Sequence, residues 1–433
     1  MPHFVQHERK CVIFVSKHDF MTRQTTPAEI FAAKALARQV RKELTEDILP
    51  YWMKNMCNPS EGLHGRISGQ GEPDADAPVG GIMTARVLWT FASAYRVLRD
   101  SGMDENVLEE YLDMALRAKR LLLDRFYDAE YGGTYWSLNS DFSPHDTKKQ
   151  IYAIAFAIYG LAELHRAIGD SEALDYAVKL FHSIEEHSYD PAGGGYFEAF
   201  TRSWETIEDM RLSDKDANES KTMNTHLHVL EAYTCLYRVW KNPLLAERLR
   251  LLICVFETHI LGEDGHLRLF FDDSWNCGYD IVSYGHDIEA SWLLHEAALV
   301  LGDADVLERV KALVPVVVSA ASEGFTQEGG MIYERIGDGL EGAKVDGDRH
   351  WWVQAETVMG FFNLWQHFGK QEGLENALMC WEFIKSSLID HIDGEWFWSV
   401  RADGSVNRDD DKAGFWKCPY HNGRMCLEII ERL

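Results

Sequence analysis

The sequence predicts an all-α protein built as an (α/α)6 barrel, a closed ring of six inner and six outer helices with short β-hairpins on the rim that would carry the active site. Three observations predict it. A glycine-rich turn recurs roughly every 60–70 residues, apolar and amphipathic helical segments alternate between the turns, and neither end of the array carries a polar capping unit.

The turns come first in the argument because they set the period. EYGGTYWSL (130–138), GGGYFEAF (193–200), DGHLRLFF (264–271), EGGMIYER (328–335) and DGEWFWSV (393–400) share a turn of Asp or Glu with Gly, then alternating aromatic and polar residues. Gly133, Gly194, Gly265, Gly330 and Gly394 anchor the five copies, and GLHGRI (62–67) is a weaker sixth lying about one interval upstream. A glycine turn followed by period-two alternation reads as a short strand or hairpin.

The longer segments between the turns have helical spacing and fall into two kinds. After each turn and its loop comes a strongly apolar helix: VGGIMTARVLWTFASAYRVL, KKQIYAIAFAIYGLAELHRA, KTMNTHLHVLEAYTCLYRVW, SYGHDIEASWLLHEAALVLG, HWWVQAETVMGFFNLWQHFG and KCPYHNGRMCLEII. Between these lie helices charged on one face, such as ENVLEEYLDMALRAKRLLLDRF and DADVLERVKALVPVVVSAA. A helix apolar around most of its circumference is surrounded by protein, whereas a one-sided helix covers a surface. The first and last inner segments are as apolar as the rest, so the six pairs are expected to close on themselves as one catalytic domain over 26–433. The starts of all inner helices then share one rim.

Composition narrows the function. The chain has 433 residues and a formal charge of −26, which repels phosphate backbones and anionic lipid surfaces and argues against a nucleic-acid or membrane partner. Its eight cysteines, at 11, 57, 235, 254, 277, 380, 418 and 426, show no paired spacing and read as reduced thiols in a cytoplasm. No run approaches the roughly 18 consecutive apolar residues of a membrane span. Residues 1–25 have no clear period and are expected to form an N-terminal extension, disordered, with Met21 a candidate start.

Unusual residues collect where the inner helices begin. The third opens with Asn224, His226 and His228, the fourth with His286, Asp287 and Glu289, the fifth with His350, Trp351 and Trp352, the sixth with Trp416, Tyr420 and His421, while the first hairpin supplies Arg66. A lone histidine on an apolar helix is usually a satisfied core residue, but five at equivalent positions point to a site. His226 and His228 lie two apart and cannot share a face; Asn224 and His228, at i and i+4, can, and are preferred. His286 and Glu289, at i and i+3, are spaced for a carboxylate to orient the ring, or for an ordinary helix-surface pair. Trp351 and Trp352 are core aromatics or platforms for sugar stacking. There is no HExxH or comparable metal pair and no phosphate-binding glycine loop, so neither metal nor nucleotide cofactor is expected.

KTMNTHLHVLEAYT (221–234), SYGHDIEASWLL (283–294), RHWWVQAET (349–357) and WKCPYHNGRMCLE (416–428) together resemble the signature segments of cellobiose 2-epimerases, within the N-acylglucosamine 2-epimerase superfamily. The resemblance runs from about residue 27 to the C-terminus. It implies the same barrel and a metal-independent isomerase that inverts carbon 2 at the reducing end of β-1,4-linked disaccharides such as cellobiose and lactose, in mannan and cellobiose utilisation. By this resemblance His286 and His421 are the acid–base pair, Arg66 and His228 assist them, Glu289 is a histidine-partnering carboxylate, Asn224 and Asp216 contact substrate, and Trp352 and Trp416 stack on it. The sugar is the expected partner of a monomer or weak homo-oligomer. Rival readings are an N-acylglucosamine 2-epimerase, a mannose isomerase, or a glycoside hydrolase on the same barrel, which would use two carboxylates about the scissile bond.

Overall fold

A computed structural model describes residues 25–58, 62–337 and 343–433, so the expected N-terminal extension falls, but for Thr25, outside the described residues. Thirteen helices build the described fold. The inner ring is α3 (Gly81–Leu98), α5 (Ile151–Ile168), α7 (Met223–Val239), α9 (Tyr284–Leu301), α11 (Trp351–Phe368) and α13 (Tyr420–Glu431). Outside them lie α1 (Pro27–Glu43) continued by α2 (Leu49–Asn55), then α4 (Glu105–Leu121), α6 (Ser171–His187), α8 (Pro243–Val255), α10 (Ala304–Ala321) and α12 (Gln371–Phe383). The ring closes because α13 packs between α11 and α3.

Inner helices bury nearly every residue, as their all-round apolarity requires, and glycine sets how closely they approach. A Cβ at Gly160 of α5 would sit 2.7 Å from the Ala85 carbonyl oxygen of α3, and one at Gly360 of α11 would sit 2.4 Å from Ile288 of α9. Both positions therefore exclude any larger residue without a shift of backbone. Among the described residues α5 is long and apolar enough for a membrane span, contrary to the expectation that no segment approaches one; it lies buried in the ring. The seven described cysteines are all unpaired.

The rim differs in one respect from a set of self-contained hairpins. Some hairpins form, as at 66–67 with 73–74, but most of the alternating segments pair across repeats. Residues 149–150 pair with 199–200, 221–222 with 270–271, 281–283 with 334–336, and 349–350 with 399–400. Each glycine turn is closed locally by a single bridge, such as Tyr127 with Thr134 or Ile389 with Trp396. Its strand is thereby left to bond the one that leads into the preceding inner helix.

Buried ion pairs reinforce this stitching. The turn aspartates Asp128, Asp190 and Asp390 hold Lys149, Lys221 and Lys412, which precede the inner helices α5, α7 and α13. All three lysines are buried. Removing one partner of such a pair strands the other charge and costs about 3–5 kcal/mol. These pairs thus help fix where three of the six inner helices start.

Candidate active site

A solvent-open cavity of about 530 Å³ occupies the rim where the inner helices begin, a size suited to a small ligand. It is lined by Arg66, Asp216, Asn224, His228, His286, Glu289, His350, Trp351, Trp352, Trp416 and His421, so the structure brings together every residue singled out as catalytic or substrate-binding. A smaller side chamber of about 160 Å³ adjoins it beside Asp216, Asn224 and His286.

His286 and His421 both contact the same indole, with ring centroids 4.8 and 5.6 Å from Trp352. His286 Nδ1 shares a 2.8 Å hydrogen bond with the Ser283 hydroxyl, and His421 Nδ1 lies 2.7 Å from a Glu356 carboxylate oxygen. With Nδ1 engaged in both, Nε2 is the nitrogen left to meet a ligand. Burial, then the neighbouring His228, pushes His286 down to about 3. Burial, followed by Arg86 and Arg424, pushes His421 well below the ordinary imidazole range. Both rings are neutral at neutral pH and available as bases.

The expected pairing of Glu289 with His286 does not form. His286, in the first turn of α9, reaches back to the residue capping its helix, while Glu289 points one turn deeper and accepts a 2.6 Å hydrogen bond from Arg424. Glu289 lies nearer the other histidine, 3.9 Å from His421 Nδ1. Helical spacing placed two side chains on one face but could not say which neighbour each would meet.

Beneath the histidines, Arg424 is fully buried and donates to Glu231, Glu289 and Glu356. Burial would raise all three carboxyls, but Arg424 and His228 bring Glu231 down to about 2, while Glu289 and Glu356 stay raised, by burial and by their neighbours' negative charge. Three carboxylates about one guanidinium raise the proton affinity of Glu289 and Glu356. Glu289 Oε2 is buried without a hydrogen-bond partner.

His228 lines the cavity with Nδ1 held 2.9 Å from Glu231. His226 instead donates from Nδ1 to the Thr222 carbonyl and accepts from the Tyr196 N–H at Nε2, a core residue satisfied by backbone, as the two-residue offset implies. Arg66 stands at the mouth, its side chain 44% exposed and its Nε 2.6 Å from Asp411. Asp216 is fastened in its loop by the N–H and hydroxyl of Ser213. The Asn224 Oδ1 is buried with no partner. Trp351 is almost wholly buried against Trp398, whereas Trp352 and Trp416 are partly exposed.

Four polar residues of this site escaped the sequence reading: Arg86, Tyr152, Glu356 and Arg424. Arg86 is buried in the cavity wall, bonded to the Tyr152 hydroxyl at 2.7 Å and set over the Phe156 ring. Their signal was a charged or hydroxyl group inside a helix otherwise apolar all round. Glu289, Glu356 and His421 also bring ligand atoms within 4.8 Å of one another, as a metal would need. Arg424 already supplies the cation to both carboxylates of that set.

The N-acylglucosamine 2-epimerase (GlcNAc 2-epimerase) profile matches residues 62–423. The chain is 59% identical to the cellobiose 2-epimerase of Bacteroides fragilis over 91% of its own length and 98% of that protein. It is 40% identical to a cellobiose 2-epimerase of Ruminococcus albus, again over 91% and 98% of the two chains. The solved structure of cellobiose 2-epimerase from Bacillus thermoamylovorans superposes with a TM-score of 0.86 at 38% identity, covering 92% of this chain and all of that one.

Proposed function

The chain belongs to the N-acylglucosamine 2-epimerase family, whose members are carbohydrate epimerases and isomerases, and from that premise we propose that it inverts carbon 2 of the reducing-end sugar in β-1,4-linked disaccharides. Cellobiose becomes 4-O-β-D-glucosyl-D-mannose and lactose becomes epilactose, with no metal taking part. The observation that carries the reading is the placement of two neutral imidazoles, His286 and His421, in one cavity, both in contact with Trp352.

The chemistry follows from the substrate. The hydrogen on carbon 2 becomes acidic only when the ring opens to the aldehyde, so proton transfer between the ring oxygen and the anomeric hydroxyl comes first. One imidazole then removes the carbon-2 proton, leaving a planar cis-enediolate. Positive charge and hydrogen-bond donors at the cavity wall, from Arg66 and His228 with buried Arg86 behind them, stabilise the developing oxyanion. Protonation from the opposite face by the second imidazole gives the epimer, and the reverse reaction exchanges their roles. His421, its Nδ1 against the Glu356 carboxylate, is the ring whose imidazolium form is supported while it carries the proton. His286, beside the Ser283 hydroxyl, is suited to act as the neutral base. Trp352 and Trp416 offer faces for the sugar rings, and Asp216 and Asn224 offer hydrogen bonds to hydroxyls.

The test is product identity. Purified protein given cellobiose, N-acetylglucosamine or mannose separately should convert cellobiose to a disaccharide with mannose at its reducing end. Free glucose as the main product, or turnover of only the monosaccharides, would contradict the proposal.

A further inference from the structure

Residues 132–133, 194–195 and 394–395 hold the same place in their repeats. Each pair is left-handed and follows a turn aspartate whose carbonyl accepts the N–H of the first residue. Two of the pairs are Gly-Gly, but the third is Gly394 followed by Glu395, whose φ of 60° is a conformation that disfavours a side chain. A Cβ at Gly133 would lie 2.8 Å from the Trp204 indole, and one at Gly195 would lie 2.5 Å from His226 Nε2. Of these three left-handed pairs, only the last places a side chain here.

That side chain goes inward. Glu395 is 1% exposed, and its Oε1 accepts from Lys417 Nζ at 3.0 Å, from Asn422 Nδ2 at 2.8 Å and from the Trp396 N–H at 2.9 Å. Its Oε2 accepts from the Trp52 indole at 2.7 Å, and its backbone N–H donates to Asp47, so the first outer helix holds the far side. Lys417 directly follows Trp416, and Asn422 directly follows His421. Neither lines the cavity.

We propose that Glu395 is a positioning residue, bracing Trp416 through Lys417 and His421 through Asn422, an inference that rests on the epimerase reading above. The left-handed backbone at Glu395 aims its carboxylate beneath the start of the last inner helix. The two arms act on different steps: the Lys417 arm fixes a stacking surface, and the Asn422 arm fixes a proton-transfer group.

Steady-state epimerisation of cellobiose, with calorimetric binding of cellobiose and circular dichroism to establish the folded fraction, separates the arms. Asn422→Ala should lower kcat on the order of tenfold or more with KM and Kd within about threefold. Lys417→Met should raise KM and Kd by a similar factor with kcat within about threefold, and Glu395→Gly, which restores the glycine of the two Gly-Gly pairs, should do both. The brace is overturned if Asn422→Ala and Lys417→Met each move kcat and KM by the same factor, or if Glu395→Gly folds with wild-type kcat and KM. Should Glu395→Gly not fold, the two single-arm variants decide the matter. Wild-type protein that binds cellobiose but makes no epimer fails the epimerase reading instead, and the Lys417→Met binding arm still tests the brace.

Discussion

His421 Nδ1 lies 2.7 Å from the Glu356 carboxylate, and the two come from different inner helices, α13 and α11. The same oxygen of Glu356 accepts from Arg424, which in turn holds Glu289 and Glu231. The imidazole is thereby held by its Nδ1 against a carboxylate that Arg424 orients, so that its free Nε2 serves as acid or base toward the cavity. His286 has only the Ser283 hydroxyl at its Nδ1. The two histidines are unequal in their support, though both line the cavity.

Replacing either histidine removes one face of the reaction. His286→Ala and His421→Ala should each lower epimerisation of cellobiose by about 10²–10⁴-fold or more, the usual worth of a general acid or base. Calorimetry should still detect disaccharide binding, because the aromatic walls remain. Near wild-type turnover in either variant would remove that residue from the mechanism.

Glu356→Gln keeps the shape of the carboxylate but not its charge. Without the charge the ring is less favoured as imidazolium, so kcat should fall about a hundredfold or more while KM changes little. A variant that raises KM with kcat intact would place Glu356 in substrate binding instead. Kinetics on cellobiose at saturating and limiting concentrations check this.

Glu198 gives a pH-dependent stability with a defined sign. Burial pushes its carboxyl up to about 8, against the pull of hydrogen bonds from Thr222 and Thr225. The folded value lies above the ordinary 4.5, so the stability this group contributes is complete below pH 4.5 and is lost as pH rises through 8. Glu198→Gln, which cannot ionise, should therefore gain a few degrees of Tm relative to wild type between pH 5 and pH 9. A difference in Tm that stays constant over that range would contradict the assignment.

The proposed chemistry uses imidazoles and a guanidinium in place of a Lewis acid. Extended dialysis against EDTA should leave kcat on cellobiose unchanged, and added zinc or magnesium should not increase it. Loss of activity restored by one divalent ion would instead point to the donor set of Glu289, Glu356 and His421.

Much of the architecture was legible because it is written six times. The glycine anchors from Gly133 to Gly394 and the alternation of apolar with one-sided helices specify twelve barrel positions and one active rim before any contact is known. Within the site, the two-residue offset of His226 and His228 separates a core histidine from a cavity one, since helix geometry is local. What escaped was non-local. The Glu356–His421 pair spans 65 residues of sequence and the Arg424–Glu231 pair 193, so no spacing rule connects them. Glu289 was paired with the wrong histidine for the same reason: periodicity gives a face, whereas its partner Arg424 arrives from another helix. The inter-repeat strand pairing was hidden too, because a two-residue strand reads the same whichever neighbour it bonds.

The most direct test of two bases acting on one carbon is deuterium exchange in the single-histidine variants. Cellobiose and its epimer are each incubated in D2O with His286→Ala or His421→Ala, and carbon 2 is read by NMR. The account predicts that each variant, unable to interconvert the epimers, washes deuterium into one of them only, and that the two variants choose opposite epimers. Exchange into the same epimer by both variants, or continued interconversion by either, would contradict it.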